Sequence, residues 1–392
     1  MMPSLARPAR VFPLVMSGFV AVLIGYSSSA AIIYQAAEAA GATPVQIGGW
    51  LSMLGIAMGI TSLGLSLWTR MPVLAAWSTP GAALLATSVQ GFTLNEVIGI
   101  FVATNALIVL SGITGLFARL MRVIPASLAA AMLAGILLRF GLHTFTGLET
   151  HAALCGSMIL TWLLSRRRLP RFAILLALLV GIVVALGQHA IHLPAQVPAL
   201  SVPDFIMPHF NVAALLGVGV PYFLVTMASQ NAPGIATLQA HGYQPPVSAL
   251  TGWTGFVALL LSPFGGFSVC VAAISAAVCM GDDVDPNPAR RWMATAIAGV
   301  FYLITGFTGA LLALLLTALP PVLIATLAGL ALLGTLATSL QRALEDSTHR
   351  DSALIAFLLT ASGISLLGVG SAFWGLVAGM LVQQLSNPRG RG

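Results

Sequence analysis

71-MPVLAAWSTPGAALLATSVQG-91 is apolar enough to enter a bilayer, yet it is punctuated where a spanning helix cannot be. Pro72 opens it and Thr79-Pro80-Gly81 interrupts its middle. Proline lacks an N–H and fixes φ near −65°, so it suits the first turn of a helix and disrupts an interior. Thr79 before Pro80 reads as an N-cap. The stretch VLAAWS ahead of it suits an extended chain. The expectation is a strand over about 73–78 followed by a half-helix from about Pro80 to Val89.

A second stretch carries the same punctuation. In 262-SPFGGFSVCVAAISAAVCMG-281, Pro263 opens the segment and Gly265-Gly266 breaks it. It reads as a strand near 264–268 and a half-helix from about Val269 to Met280. Exposed strand backbone is tolerated at membrane depth only inside protein or along a cavity. Two such broken segments in matching places are a pointer to a transporter's binding site.

The surrounding sequence makes the membrane setting plain. Of 392 residues 58% are hydrophobic and only 7% are Asp, Glu, Lys or Arg, against roughly 25% charged in a soluble domain. Taking about 20 residues per crossing, fourteen segments emerge, at roughly 13–36, 47–68, 73–90, 96–117, 124–140, 150–165, 171–190, 211–234, 246–261, 264–280, 291–317, 321–340, 352–368 and 370–386. The broken segments are the third and the tenth, the third place in each run of seven.

Charge placement orients the chain. All 16 basic residues are arginine. With the N-terminus in the cytoplasm, Arg7, Arg10, Arg70, Arg119, Arg122, Arg166, Arg167, Arg168, Arg171, Arg290, Arg291, Arg342, Arg350, Arg389 and Arg391 all face inside, and Arg139 alone falls at an outer end. That is the positive-inside pattern, with both termini cytoplasmic. Arginines confined to short loops also argue against nucleic acid as the partner of a chain with net charge +6. His143, His151, His189, His192 and His209 fall in outer loops or helix ends. The apolar settings of Cys155, Cys270 and Cys279 speak against disulfides or a metal site. No phosphate loop, nucleophile elbow or HExxH is present, so neither an ATP-driven pump nor a membrane enzyme is expected.

Seven segments per half is odd, so the second half enters the membrane inverted. The Pro-rich 193-LPAQVPALSVPDFIMP-208 joins the halves, and QAAEAAGATPVQIGGW (35–50) resembles QAHGYQPPVSALTGW (239–253). The fold class is therefore an all-α membrane protein of fourteen segments in a 7+7 inverted repeat. The third and tenth half-helices then point their N-termini at each other near the midplane. Each terminus carries roughly half a positive charge, which together make an anion site without a buried Arg or Lys. Mid-membrane polar residues gather at the equivalent first segments of the halves, Tyr26 and Ser27–Ser29 in one, Gln230 and Asn231 in the other. Substrate hydrogen bonding and helix–helix adhesion compete as explanations. Tyr26, Trp77, Phe223, Phe264 and Phe267 are candidates for an aromatic slot, with core packing as the competing role. No acidic residue falls mid-membrane. Glu38, Glu96, Glu149 and Asp204 lie outside, and the other six lie inside.

The motifs 76-AWSTPGAALLATS-88, 229-SQNAPGIATL-238 and 272-AAISAAVCMGDD-283 resemble those of the benzoate/proton symporter (BenE-type) family, itself similar to the nucleobase–ascorbate, bicarbonate and sulfate transporters. The resemblance implies a core domain of residues 1–122 and 211–318, and a gate domain of 123–192 and 319–392, with 193–210 as linker. It implies elevator-like uptake of an aromatic carboxylate such as benzoate together with protons, in the inner membrane. No cofactor is implied, and a homodimer is compatible with it. The candidate site residues, from the broken segments and the polar and aromatic residues beside them, are Tyr26, Ser27, Trp77, Ser78, Thr79, Gly81, Gln230, Asn231, Gly266, Phe267, Ser268 and Cys270. One departure stands out: Phe267 and Cys270 hold the places of a His and an Asn found before the tenth half-helix in members of the family. A nucleobase permease of the same fold and an anion channel are the alternative readings.

Overall fold

The computed structural model describes residues 11–115, 125–192 and 203–386. Arg7, Arg10, Arg119, Arg122, Arg389, Arg391 and linker residues 193–202 lie outside the described residues. The chain begins with α1 (Val11–Ala39) and α2 (Pro44–Thr69). Helix α2 starts on a capping box in which Thr43 and Gln46 satisfy each other's backbone, with Pro44 in the first turn. The first broken segment follows as β1 (Ala75–Trp77) and α3 (Thr79–Ser88). Then come α4 (Leu94–Thr114), α5 (Ala126–Thr150), α6 (Ala152–Arg168) and α7 (Ala173–Gly187).

The second half opens with α8, helical over Val212–Ala240. Two wide π turns, Leu215–Gly219 and Met227–Asn231, interrupt it. Pro221 and Pro233 follow these turns, and each removes an N–H that an α-helix would use. The wider turn absorbs the missing bond, so the helix continues to Ala240 rather than breaking near Pro233-Gly234. Next are α9 (Val247–Leu261), β2 (Val269–Val271) and α10 (Ile274–Ala277). Helices α11 (Trp292–Phe307) and α12 (Gly309–Ala318) meet at a 65° bend. The chain ends with α13 (Pro321–Glu345), α14 (Arg350–Ser362), the hairpin β3 (Ser365–Leu366) and β4 (Val369–Gly370), and α15 (Ser371–Ser386).

Among the described residues seven helices are long and apolar enough to cross a membrane, and α11 with α12 makes an eighth if the bent pair is one span. The other expected segments are shorter helices or strand–helix pairs. Three expectations need correction. Helix α5 runs to Thr150 instead of ending near residue 140, because Phe140, Thr144 and Gly147 continue its buried face. Arg139 therefore sits inside α5, beside Gly363 at the C-terminal end of α14. The second strand lies at 269–271, not 264–268, because β-branched Val269 and Val271 suit a strand while 262–264 form a single 3₁₀ turn. That shift leaves α10 four residues long in place of the expected half-helix from Val269 to Met280.

Two packing groups emerge. In one, α2 packs on α11 and α12, α4 on α9, and α1 on α3 and α11; in the other, α5 packs on α13 and α14, α14 on α15, and α6 on α7. The groups touch where α1 meets α13 and α7, where α3 meets α5, and where α8, which packs on α3 and α4, meets α5, β4 and α15. Glycine permits the closest approaches: a Cβ on Gly55 would strike the Gly306 backbone across α2 and α11. The described end of the linker is an ordered arm. Ile206 N–H donates to the Pro263 carbonyl at 2.8 Å, His209 N–H to Asn95 O at 2.9 Å, and Asn211 Nδ2 to Glu96 Oε1 at 2.7 Å. The arm thus ties the start of α4 to the turn before β2.

Candidate functional site

The two broken segments meet as an antiparallel pair, with Ala75 opposite Val271, Ala76 opposite Cys270 and Trp77 opposite Val269. The ladder extends at both ends, where Ser78 N–H donates to Ser268 O at 3.0 Å and Ala272 N–H to Leu74 O at 2.8 Å. A two-stranded sheet leaves two outer edges, which are costly in a bilayer. Side chains close both. Ser62 Oγ accepts from Ala75 N–H at 2.9 Å, and Asn231 Oδ1 accepts from Val271 N–H at 3.0 Å.

A buried polar network fixes the crossing. Ser78 Oγ accepts from Gly81 N–H at 3.2 Å and pairs with Thr226 Oγ1 at 2.8 Å. Ser78, not Thr79, is thus the cap of α3, and the helix begins one residue before Pro80. Ser268 N–H donates to the Tyr222 hydroxyl at 2.9 Å, and Ser268 Oγ donates to Asn105 Oδ1 at 2.9 Å. Asn105 Nδ2 in turn donates to Ser262 Oγ. Beyond the strands, Trp50, Phe101, Phe267 and Tyr222 form a buried aromatic cluster.

On the other side of the strands lies a cavity of about 880 Å³. Ser27–Ser29 of α1, Trp77 of β1, Thr79 and Pro80 at the start of α3, Ser229 and Gln230 in the second π turn, and Ala272–Ser275 leading into α10 all line it. Trp77 is held by its Nε1–H, which donates to Ser29 Oγ at 2.6 Å, and Tyr26 packs edge-on against it with centroids 4.8 Å apart. The serine hydroxyls of α1 bond back to their own helix, Ser27 to Ile24 O and Ser29 to Gly25 O, which satisfies them in an apolar segment.

Of the twelve residues expected at the site, Ser27, Trp77, Thr79 and Gln230 line the cavity. The rest are in its wall or behind it. Tyr26 buttresses Trp77, and its hydroxyl accepts from Thr305 at 3.1 Å. Asn231 is fully buried as the edge cap of β2. Gly81 faces the Tyr222 ring, which any Cβ there would strike. Gly266 turns against Leu261, Phe267 belongs to the aromatic cluster, Ser268 to the polar network, and Cys270 lies within β2 opposite Ala76. Of the other expected aromatics, neither Phe223 nor Phe264 lines the cavity.

Several lining residues were missed. Ile274 is 80% exposed and faces the cavity. Thr335, Thr338, Ser339 and Arg342 line the facing wall from α13. Their spacing of i, i+3, i+4 and i+7 is that of one helix face, a signal present in 335-TLATSLQR-342. Among the described residues that line it, Arg342 is the charged one, and none is Asp, Glu or His. The short α10 also alters the electrostatics. The ten-residue α3 retains a useful dipole, whereas a single turn contributes little. Among the described residues no group of three His, Cys, Asp or Glu is placed to hold a metal ion.

Comparison with known proteins fits this architecture. The profile of the BenE family, described as benzoate membrane transport protein, matches residues 9–385. The chain is 57% identical over 367 residues to the inner membrane protein YdcO of Escherichia coli, covering 94% of each, and 38% identical over 370 residues to the benzoate membrane transport protein of Acinetobacter baylyi, covering 93% of each. The solved structure of SLC26A9 superposes with a TM-score of 0.65 at 14% identity, covering 96% of this chain and 65% of that one, so the matched part is under two thirds of that protein. At such identity the match speaks to the fold alone.

Proposed function

The chain belongs to the benzoate membrane transport protein family, and from that premise we propose that it carries an aromatic carboxylate such as benzoate across the inner membrane by secondary transport, together with protons. The observation that supports this reading best is the cavity itself. It sits at the ends of the paired strands and holds two large aromatic side chains, Trp77 and Tyr302. Its described lining also holds a primary amide, Gln230, several hydroxyls and Arg342, with no carboxylate among them. Its volume falls inside the range of about 300–1,000 Å³ usual for small-molecule sites. An aromatic ring stacks on Trp77 and Ile274 while the carboxylate takes donors from Thr79, Gln230 and the start of α3.

In this reading the chain crosses the membrane fourteen times as two inverted repeats, with both termini cytoplasmic. The group built on the strands is the moving core and the α5–α7, α13–α15 group the gate, and the cavity between them faces the cytoplasm. Arg342, Pro170 and Ala126 mark its inner end. Core and gate slide past one another, with α1, α3 and α8 riding over α5, α7, α13 and α15.

The experiment is a thermal-shift screen of the purified protein with benzoate, uracil and sulfate, followed by uptake into proteoliposomes. Stabilisation by benzoate and uptake of it are expected. Stabilisation by uracil or sulfate alone would replace the substrate class. Uptake is expected to rise as the outside is acidified, and a flat pH profile would remove the proton from the scheme.

A further inference from the structure

The cavity wall supplied by α13 carries a polar stripe that ends in an arginine, and the sequence pattern alone assigned it no role. Thr335, Thr338 and Ser339 lead along one helix face to Arg342. The seven steps from Thr335 to Arg342 span about 10 Å, or two turns. Arg342 is exposed at the inner end of the cavity, and no hydrogen bond or ion pair with the described residues engages its guanidinium. Asp346, at the end of α13, is turned away. Its carboxylate accepts from Thr348 N–H at 2.9 Å and from Thr348 Oγ1 at 2.6 Å, and it lies 2.7 Å from His349 Nδ1. Glu345 is exposed beyond the stripe, and Arg350 bonds the Leu344 carbonyl.

We infer that Arg342 is the residue that captures and releases the substrate carboxylate at the inner mouth of the cavity, with the Thr335–Thr338–Ser339 stripe as its path to and from the strand tips. This rests on the anionic substrate proposed above. A guanidinium presents paired N–H donors that match a carboxylate. A cation in a cleft whose described lining holds no acidic residue draws a negatively charged ligand from several ångströms away. The α13 hydroxyls offer replaceable hydrogen bonds between that point and Thr79. Because Arg342 lies two turns from Thr335 along this wall, it acts on entry and exit from one side and makes no demand on binding from the other.

The test is transport of radiolabelled benzoate by R342Q and R342K in vesicles of both orientations, at low and high salt. For R342Q the KM measured from the side bearing Arg342 rises about tenfold, with little change in maximal rate. The KM from the opposite side stays within twofold of wild type, R342K recovers most of the loss, and high salt brings wild type toward R342Q. An unchanged KM, or an equal rise from both sides, overturns the inference while leaving benzoate transport standing. Absence of benzoate transport by the wild type itself overturns the substrate reading and this inference with it.

Discussion

Gln230 and Asn231 are adjacent in sequence, both polar and both deep in an apolar helix, yet the structure gives them opposite duties. Gln230 faces the cavity and Asn231 caps the outer edge of β2. Substituting Gln230→Ala removes a donor from the ligand and nothing from the fold. Benzoate binding should weaken about tenfold or more, in line with ~1.5–3 kcal/mol for a hydrogen bond to a charged group, with the melting temperature unchanged. Asn231→Ala leaves the Val271 N–H buried without a partner, at a cost of about 1–3 kcal/mol, and should lower the melting temperature. Calorimetric titration and thermal melting on the two variants separate the roles; a stable Asn231→Ala protein with weak binding would reverse the assignment. The sequence brought both residues to notice because amides are rare at that depth. It could not separate them, because the facing of each depends on a π turn that no simple periodicity reports.

The element scale shows why that turn matters. Replacing Pro233 with Ala restores an N–H able to reach the Ser229 carbonyl, so the π turn can relax to an ordinary α turn and shift the register that aims Gln230 inward. Stability should hold or rise, since proline in a helix interior is unfavourable by about 3 kcal/mol relative to alanine, while benzoate affinity falls several-fold. A variant that is more stable and binds as well as wild type would show the wide turn to be incidental. Gly81→Ala should behave differently, because the new methyl meets the Tyr222 ring where α3 packs on α8. A loss of about 1–3 kcal/mol is expected on melting, as for other overpacked sites. The first broken segment was legible almost residue by residue, because Pro72 and Thr79-Pro80-Gly81 punctuate the chain directly. The second was legible only in outline. Its alanine-rich run favours helix, but Val269–Val271 pairs with β1 and that long-range pairing claims residues local propensity gives to α10. The stripe on α13 was readable at helical spacing, yet with the ring of residues around the strands supplying an apparent site, nothing local marked which helix faced it.

For the whole molecule the question is whether the cavity belongs to a carrier or to a conducting pore, and its one-sidedness supplies the argument. Arg342, Pro170 and Ala126 bound it at the end where α5 and α7 begin and α13 finishes. Toward the opposite end, from which α2 and α4 start, the strand pair and the buried cluster of Trp50, Phe101, Phe267 and Tyr222 stand in the way. A carrier in this conformation admits a reagent from one face only, whereas a pore admits it from both. Cysteine at Thr338 makes that difference measurable, since the position is exposed in the cavity and Cys155, Cys270 and Cys279 are all buried and chemically quiet. Thr338→Cys should react with a membrane-impermeant thiol reagent applied on the Arg342 side, and benzoate should slow that reaction several-fold by occupying the cavity or by shifting the protein toward a state that closes it. Reagent applied to the other face should react at least about tenfold more slowly, because it must wait for the population in which core and gate have exchanged sides. Equal rates from both faces, unaffected by benzoate, would mean the strand crossing is no barrier, and alternating access would have to give way to a channel.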